Sequence, residues 1–428
     1  MSELTAWTRL LAEDPALSAK VDAAREAGLR LEGHTAGCSH DKLAALAGMG
    51  ISSCHESVSA EDVLRRLRLG IYTVLRHGSI RADLEILATA ITANPGLDTA
   101  RVMLTPDWMS PQDVVEFGYM EHVVTKAVEF GIPPVKAYQM ATINPATYLR
   151  LEHRLGGIGP GKEADLILLE DLERPRPRIV MVGGQVVCED GLLRESFPPF
   201  PTVTVDEWPP TRVPPLPVGS GDFAIRMPDR VPGLADGELT SVHMVNKTVT
   251  RPLRVTVPVV EGFFGELRGR CTSGILAGES LELLYLSLWS HKRGRWLTVP
   301  LTGWGAPVGG LATTVVHETH APLVLGCEPD DMALAVNRAF EIGGGIVLVE
   351  SGAVFMEVPL ECGGLLSTAP LETVAAQMSA LNTYLRERGC PWDDPFFGMN
   401  FLTFTGLPFI RLTASGLLDA KTGLLGYP

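Results

Sequence analysis

Apolar and polar positions along the first 145 or so residues change period repeatedly, from near-alternation to helical spacing and back. Leu29–Glu32 and Met49–Ser53 read as short buried strands, and Asp41–Ala47 between them has the spacing of an amphipathic helix. Glu3-Leu4-Thr5 reads as the end of an earlier strand, followed by a helix over Pro15–Ala27. A cap-like Ser59-Ala60-Glu61-Asp62 opens a predicted helix over Ala60–Leu75, with Leu64, Leu67, Leu69 and Ile71 on its apolar side. Further predicted elements are a helix at Leu84–Ile91, a strand at Arg101–Leu104 and helices at Met120–Phe130 and Pro134–Thr142, the last stopped by Asn144-Pro145. Alternation of this kind predicts βα units and a parallel sheet or barrel.

From Gly156 the pattern changes. A turn-rich run leads to short strands at Leu166–Leu169 and Ile179–Val182, the latter joined to Gln185–Cys188 by a Gly183-Gly184 hairpin turn. The proline-rich stretch Pro198–Pro217 reads as a connector. Beyond it come strands at Leu253–Val260, Ile346–Val349 and Val354–Glu357, and helices at Asp330–Ile342 and Leu371–Glu387. Gly343-Gly344-Gly345 ends the first of these helices rather than opening one, so it is no phosphate loop.

Composition narrows the class. The chain of 428 residues is 46% hydrophobic and 20% charged, long enough for two or three domains. A net charge of −14 argues against a nucleic-acid partner. Seven scattered cysteines without a C-x-x-C pair read as reduced thiols, and neither a signal peptide nor a membrane-spanning run is expected, which points to a cytoplasmic protein.

The candidate chemistry sits at predicted strand ends. Glu3, His34, His55 and Asp107 are separated by 31, 21 and 52 residues. A βα unit takes roughly 20–35 residues, so the series fits strands n, n+1, n+2 and n+4 of a barrel. Imidazole and carboxylate ligands suit Zn, Mn or Fe, and a metal-assisted hydrolysis follows from that donor set; the alternative is a pair of ordinary strand-end histidines. Glu56, next to His55, is a candidate acid/base or substrate-binding carboxylate. His317-Glu318-Thr319-His320 is not a zinc-protease motif, because the second histidine falls at i+3 instead of i+4. His317 and His320 would touch substrate only if their segment packs over the barrel mouth. The H-x-E…P-C-x-x-C signature of zinc nucleobase deaminases is absent. His122, His153 and His243 read as structural or solvated.

Taken together, several stretches resemble the adenine deaminases of the amidohydrolase superfamily. They are Gly33-His34-Thr35-Ala36-Gly37, Cys54-His55-Glu56-Ser57, Gly118–Val124, Met140–Ala146 and Ile158–Leu166. In the last region, Asp330–Ala335, Glu341–Gly345, Cys390-Pro391 and Asp394-Pro395-Phe396 resemble that family's C-terminal domain. The resemblance implies an α/β fold: strands 4 to 8 of a metal-dependent-hydrolase (β/α) barrel over 1–155, a remnant of the small β-sandwich over 156–197, a linker over 198–217 and a C-terminal α+β domain over 218–428.

It further implies that Glu3 bridges two metals, that His34 and His55 are ligands, that Asp107 is a ligand and proton shuttle, and that Glu56 lies near the substrate ring. The implied reaction is adenine plus water to hypoxanthine plus ammonia, with Mn, Fe or Zn as the cofactor. Two departures stand out. The family's first-strand H-x-H is absent, so the chain is expected to begin at the fourth strand and to hold a second metal weakly, with impaired activity. Thr105-Pro106-Asp107-Trp108 also departs from the family's last-strand motif. The expected partners are a purine and either a second copy or a separate chain completing the barrel. A catalytically inactive remnant and a hydrolase of another cyclic amide or amidine are the alternatives.

Overall fold

The computed structural model describes residues 3–194, 214–225, 237–407, 409–420, 422–423 and 425–426. The chain forms two compact units, Met1–Thr202 and Val203–Pro428.

In the first unit the chain runs α1 (Trp7–Leu11), α2 (Pro15–Glu26), β1 (Leu31–Gly33), α3 (His40–Gly48), β2 (Ile51–Cys54), α4 (Ala60–Arg68), β3 (Tyr72–Arg76), α5 (Leu84–Thr92) and β4 (Val102–Thr105). Strands β1 to β4 pair in parallel in sequence order, and Leu4 adds a parallel bridge to Gly33 at the β1 edge. Among the described residues this sheet is open. Helices α6 (Pro111–Phe117), α7 (Met120–Glu129), α8 (Pro134–Ala141) and α9 (Ile143–Leu149) follow. Leu75, Val102, Leu87, Ile91, Val123 and Met140 form a buried cluster between strands and helices.

Two sequence expectations fail here for identifiable reasons. The helix expected over Ala60–Leu75 stops at Arg68, because Gly70 adopts φ +75° and Tyr72-Thr73-Val74 enter the sheet as β3. A left-handed glycine ends helices, and aromatic and β-branched residues suit a pleated surface. Asn144-Pro145 does not stop a helix; it lies inside α9, and the break falls at Thr142. Pro145 sits in the first turn, where its missing N–H is not needed. The Asn144 amide donates to the carbonyls of Thr99 and Val102 at 2.8 and 2.7 Å, fastening α9 to the start of β4.

The first unit ends in an antiparallel meander of β5 (Leu166–Leu169), β6 (Pro177–Val182), β7 (Gln185–Glu189) and β8 (Leu192–Leu193). Val182 pairs with Gln185 across the Gly183-Gly184 turn, as expected. Of the expected linker, residues 198–213 lie outside the described residues.

The second unit is built on a ten-stranded mixed sheet. Its spatial order is Ser280–Glu282, Arg268–Cys271, Thr250–Thr256, Glu238–Met244, Arg295–Thr302, Leu284–Ser290, Leu323–Gly326, Gly310–Thr313, Gly345–Glu350 and Ala353–Pro359. The strand expected over Leu253–Val260 divides before Val259, which pairs instead with Phe264. Alternate residues feed two cores. Leu286, Leu288, Leu311 and Leu323 pack with Leu381 and Leu385 of the helix Leu371–Glu387. Ala312, Val324, Val347 and Val349 pack with Met332 and Val336 of the helix Pro329–Glu341.

Candidate active site

Each short strand of the first unit hands over to a polar residue at its C-terminal end. His34 follows β1, and His55 and Glu56 follow β2. Glu3 stands beside the end of β1, because Leu4 pairs with Gly33 there. One ligand atom from each of Glu3, His34 and His55 can be chosen so that all three lie within 4.8 Å of one another. Glu3 Oε1 is 2.7 Å from His34 Nδ1 and 3.7 Å from His55 Nε2. The two imidazole centroids are 5.1 Å apart, with the rings inclined at 70°. His34 is buried, whereas the Glu3 carboxylate is 43% exposed, so the group opens to solvent on one side. Two imidazoles and a carboxylate at this spacing fit a divalent ion such as Zn, Mn or Fe. Among the described residues this is the one such group.

Glu56 joins the cluster from β2. Its Oε1 is 3.7 Å from His34 Nδ1 and 3.5 Å from His55 Nε2. Asp107 stands beyond it and is not among the three clustered ligands. The residue linking the two is Arg76, at the end of β3, whose Nη1 donates to Glu56 Oε1 and, at 3.0 Å, to Asp107 Oδ2. Its Nε reaches Asp83 at 3.4 Å. Burial raises the Glu56 carboxyl, but His34, Arg76 and His55 outweigh it and hold the group down at about 2. Burial likewise disfavours the His55 cation. The hydrogen bond to Glu32 and the charges of Glu56 and Asp107 outweigh it, and His55 rises to about 9. Four acidic side chains around two histidines are therefore an environment that seeks positive charge.

Packing behind the site fixes these positions. Arg66 of α4, buried, donates through Nη2 to the Thr35 carbonyl and hydroxyl and to the Glu56 carbonyl, tying together the segments after β1 and β2. Thr35 Oγ1 also meets Cys54 Sγ at 2.9 Å. The Asp107 turn is held against the end of β3 by His77 N–H to Thr105 O and Ser79 N–H to Trp108 O. Asp107 and Trp108 take left-handed φ values of 45° and 67°. The approach is so close that a Cβ on Gly78 would lie 2.0 Å from Pro106 O.

Glu3, His34 and His55 of the spaced series thus stand within ligand distance of one another; Glu56, which lay outside that series, adjoins them, and Asp107, expected as a further ligand, is joined to them only through Arg76. Two residues of the site, Arg76 and Glu32, escaped the sequence reading. The empty n+3 position in the strand series implied a strand between His55 and Asp107, the one signal that could have led to Arg76. Glu32, on β1, pairs with His55 Nδ1 at 3.0 Å. His317 and His320 belong to the second unit. The His317 ring packs edge-on against Phe401 and Phe404, with centroids 5.3 and 4.2 Å away, and its carbonyl accepts from Thr403. His317-Glu318-Thr319 form a turn, in keeping with rejection of the zinc-protease motif.

Comparison with known proteins places this arrangement. Residues 1–187 match the amidohydrolase family, and residues 247–423 match the adenine deaminase C-terminal domain. The adenine deaminase of Moorella thermoacetica is 35% identical over 431 residues, covering 98% of this chain and 68% of that protein. The adenine deaminase of Cenarchaeum symbiosum is 33% identical over 422 residues, covering 98% of this chain and 66% of that protein. Among solved structures, the N-acetyl-D-glucosamine-6-phosphate deacetylase of Mycobacterium smegmatis overlaps 40% of this chain and 51% of its own, at 19% identity and a TM-score of 0.34. The chain therefore spans about two thirds of the length of these two adenine deaminase relatives. With both domains matched in order and the identity sustained end to end, the chain belongs to the adenine deaminase family of amidohydrolases.

Proposed function

We propose that the site hydrolyses the exocyclic amino group of adenine, giving hypoxanthine and ammonia, with Glu3, His34 and His55 holding a divalent metal. The observation that carries the reading is the Glu3–His34–His55 cluster with the Glu56 carboxylate 3.5–3.7 Å from both imidazoles. A divalent ion held by this donor set acts as a Lewis acid that brings the pKa of water towards neutrality.

The protein's own groups carry the rest. Asp107 Oδ2 is engaged by Arg76, which leaves Oδ1 to take a proton from the attacking water. A C–O bond forms at the ring carbon, the C–N bond breaks, and the proton held at Asp107 passes to the leaving amino group. Glu56, kept ionised by Arg76 and the histidines, accepts a hydrogen bond from a ring N–H. We read the first unit as the later strands of a metal-dependent-hydrolase barrel. The likeness to adenine deaminases over 98% of the chain supports the purine substrate.

The test is ammonia release from adenine by the purified chain loaded in turn with Mn, Fe(II) or Zn, beside its Asp107→Asn variant. Metal-dependent turnover that the Asn substitution abolishes, with the circular-dichroism spectrum unchanged, is expected. Turnover by the Asn variant equal to that of the native chain would remove Asp107 from the reaction. Release of ammonia from other aminopurines or cyclic amides, but not from adenine, would move the substrate to that class.

A further inference from the structure

Arg76 carries more donors than the site's carboxylates use. Nη1 serves Glu56 and Asp107, and Nε serves Asp83. The side chain is only 3% exposed, yet Nη2 is buried with no acceptor among the described residues. A charged donor left in this state is costly, and such groups persist where a ligand completes them.

The contrast with Arg66 sharpens the point. Arg66 is equally buried and its Nε is likewise unpartnered, but both its Nη atoms, the outward ends of the fork, are spent on main-chain carbonyls and a hydroxyl, as befits a structural brace. The partners of Arg76 include the two carboxylates assigned to the chemistry, and the rigid planar fork sets Nη2 directly beside the Nη1 that bridges them.

We infer that Arg76 is a substrate-binding residue: its Nη2 N–H donates to an sp² ring-nitrogen or carbonyl acceptor next to the amine-bearing carbon of a purine. The inference rests on the adenine-deaminase reading for its choice of substrate. When water adds to the ring carbon, the electron pair of the breaking C=N bond moves onto that neighbouring nitrogen. A cationic donor there is then worth more in the transition state than in the ground state, so its loss lowers kcat as well as affinity.

The experiment compares the full chain with Arg76→Lys and Arg76→Ala, all loaded with Mn. Lysine keeps a cation between Glu56 and Asp107 but lacks the fork. The expected result is metal content per chain equal to the native value, at least tenfold weaker binding of 6-methylpurine (which keeps the ring-nitrogen acceptor and has no amino group to lose) by equilibrium dialysis, and a kcat for adenine about 100-fold lower. Added ethylguanidinium should restore turnover to the alanine variant where the same concentration of ethylammonium does not. Native-like affinity and kcat in the lysine variant, or equal rescue by both cations, would show that Arg76 only neutralises its carboxylates and would overturn the inference. Should the alanine variant fail to fold, the lysine variant decides alone. If the native chain releases no ammonia from adenine, the functional reading fails, while the binding comparison still judges Arg76.

Discussion

Glu32 Oε1 lies 3.0 Å from His55 Nδ1, and the opposite nitrogen of the same ring, Nε2, faces Glu3 and Glu56 at 3.7 and 3.5 Å. The contact commits Nδ1 as a donor to the carboxylate, so a bound ion would take the place of the second proton, at Nε2. Carboxylates placed behind ligand histidines orient the ring and raise its basicity.

Glu32→Gln keeps the shape and removes the charge. Metal affinity should fall about 10–100-fold, as is typical when an outer partner of a ligand histidine is lost. Chelator competition reads this directly. An affinity within twofold of the native value would show that Glu32 does not tune the ligand.

Arg66→Leu would strip the shared donor from the Thr35 and Glu56 carbonyls while keeping bulk under the site. A loss of about 2–4 kcal/mol in unfolding free energy is expected from buried groups left unpaired. Urea denaturation measures it, and Arg66→Lys should recover part of the loss.

Gly78→Ala would drive a Cβ into the Pro106 carbonyl, which stands 2.0 Å from that position. The Asp107 turn must move. Turnover should drop at least tenfold while the chain stays folded, since misplacing a reacting group by about 1 Å costs on the order of 100-fold. Unchanged kcat with unchanged stability would mean that the turn yields without disturbing Asp107.

His77 sets a pH dependence of stability. Burial, then the neighbouring His122 and Lys126, depress its pKa to about 4. In the unfolded chain it titrates near 6.5. The neutral ring's contribution is therefore intact above about pH 6.5, declines as the pH falls towards 4, and is gone below that. For a ring that is only partly buried, screening leaves on the order of 1–2 kcal/mol. His77→Phe should flatten the midpoint-against-pH curve over that window, and a slope equal to the native one would assign the dependence to other groups.

What the sequence made legible follows from locality. His34 and His55 each close an apolar strand, and one repeat of strand and helix separates them, so spacing alone sets them side by side. Arg76 was hidden for the opposite reason. Arginines are usually solvated, and this one is buried because carboxylates from positions 56, 83 and 107 converge on it, a fact of tertiary structure only. Glu32 is the last residue of the strand expected over Leu29–Glu32, and nothing local says that it faces His55. The helix misread over Ala60–Leu75 arose because Leu69 and Ile71 continue the apolar spacing through the helix exit into the next strand.

The neighbour-to-neighbour order of β1 to β4 also bears on how the molecule comes to be folded. Every pairing in that sheet joins segments one helix apart, so each new strand finds its docking edge already made and closes only a short loop. In the second unit Glu238–Met244 must await Arg295–Thr302 before that side of its sheet is satisfied. Non-local pairing of that kind slows folding. The strands that lead to His34 and His55 should thus acquire protection from hydrogen exchange before the central strands of the second unit, with residues 31–54 ordered while 238–302 still exchange freely. Pulse-labelled exchange during refolding would reveal that order of events.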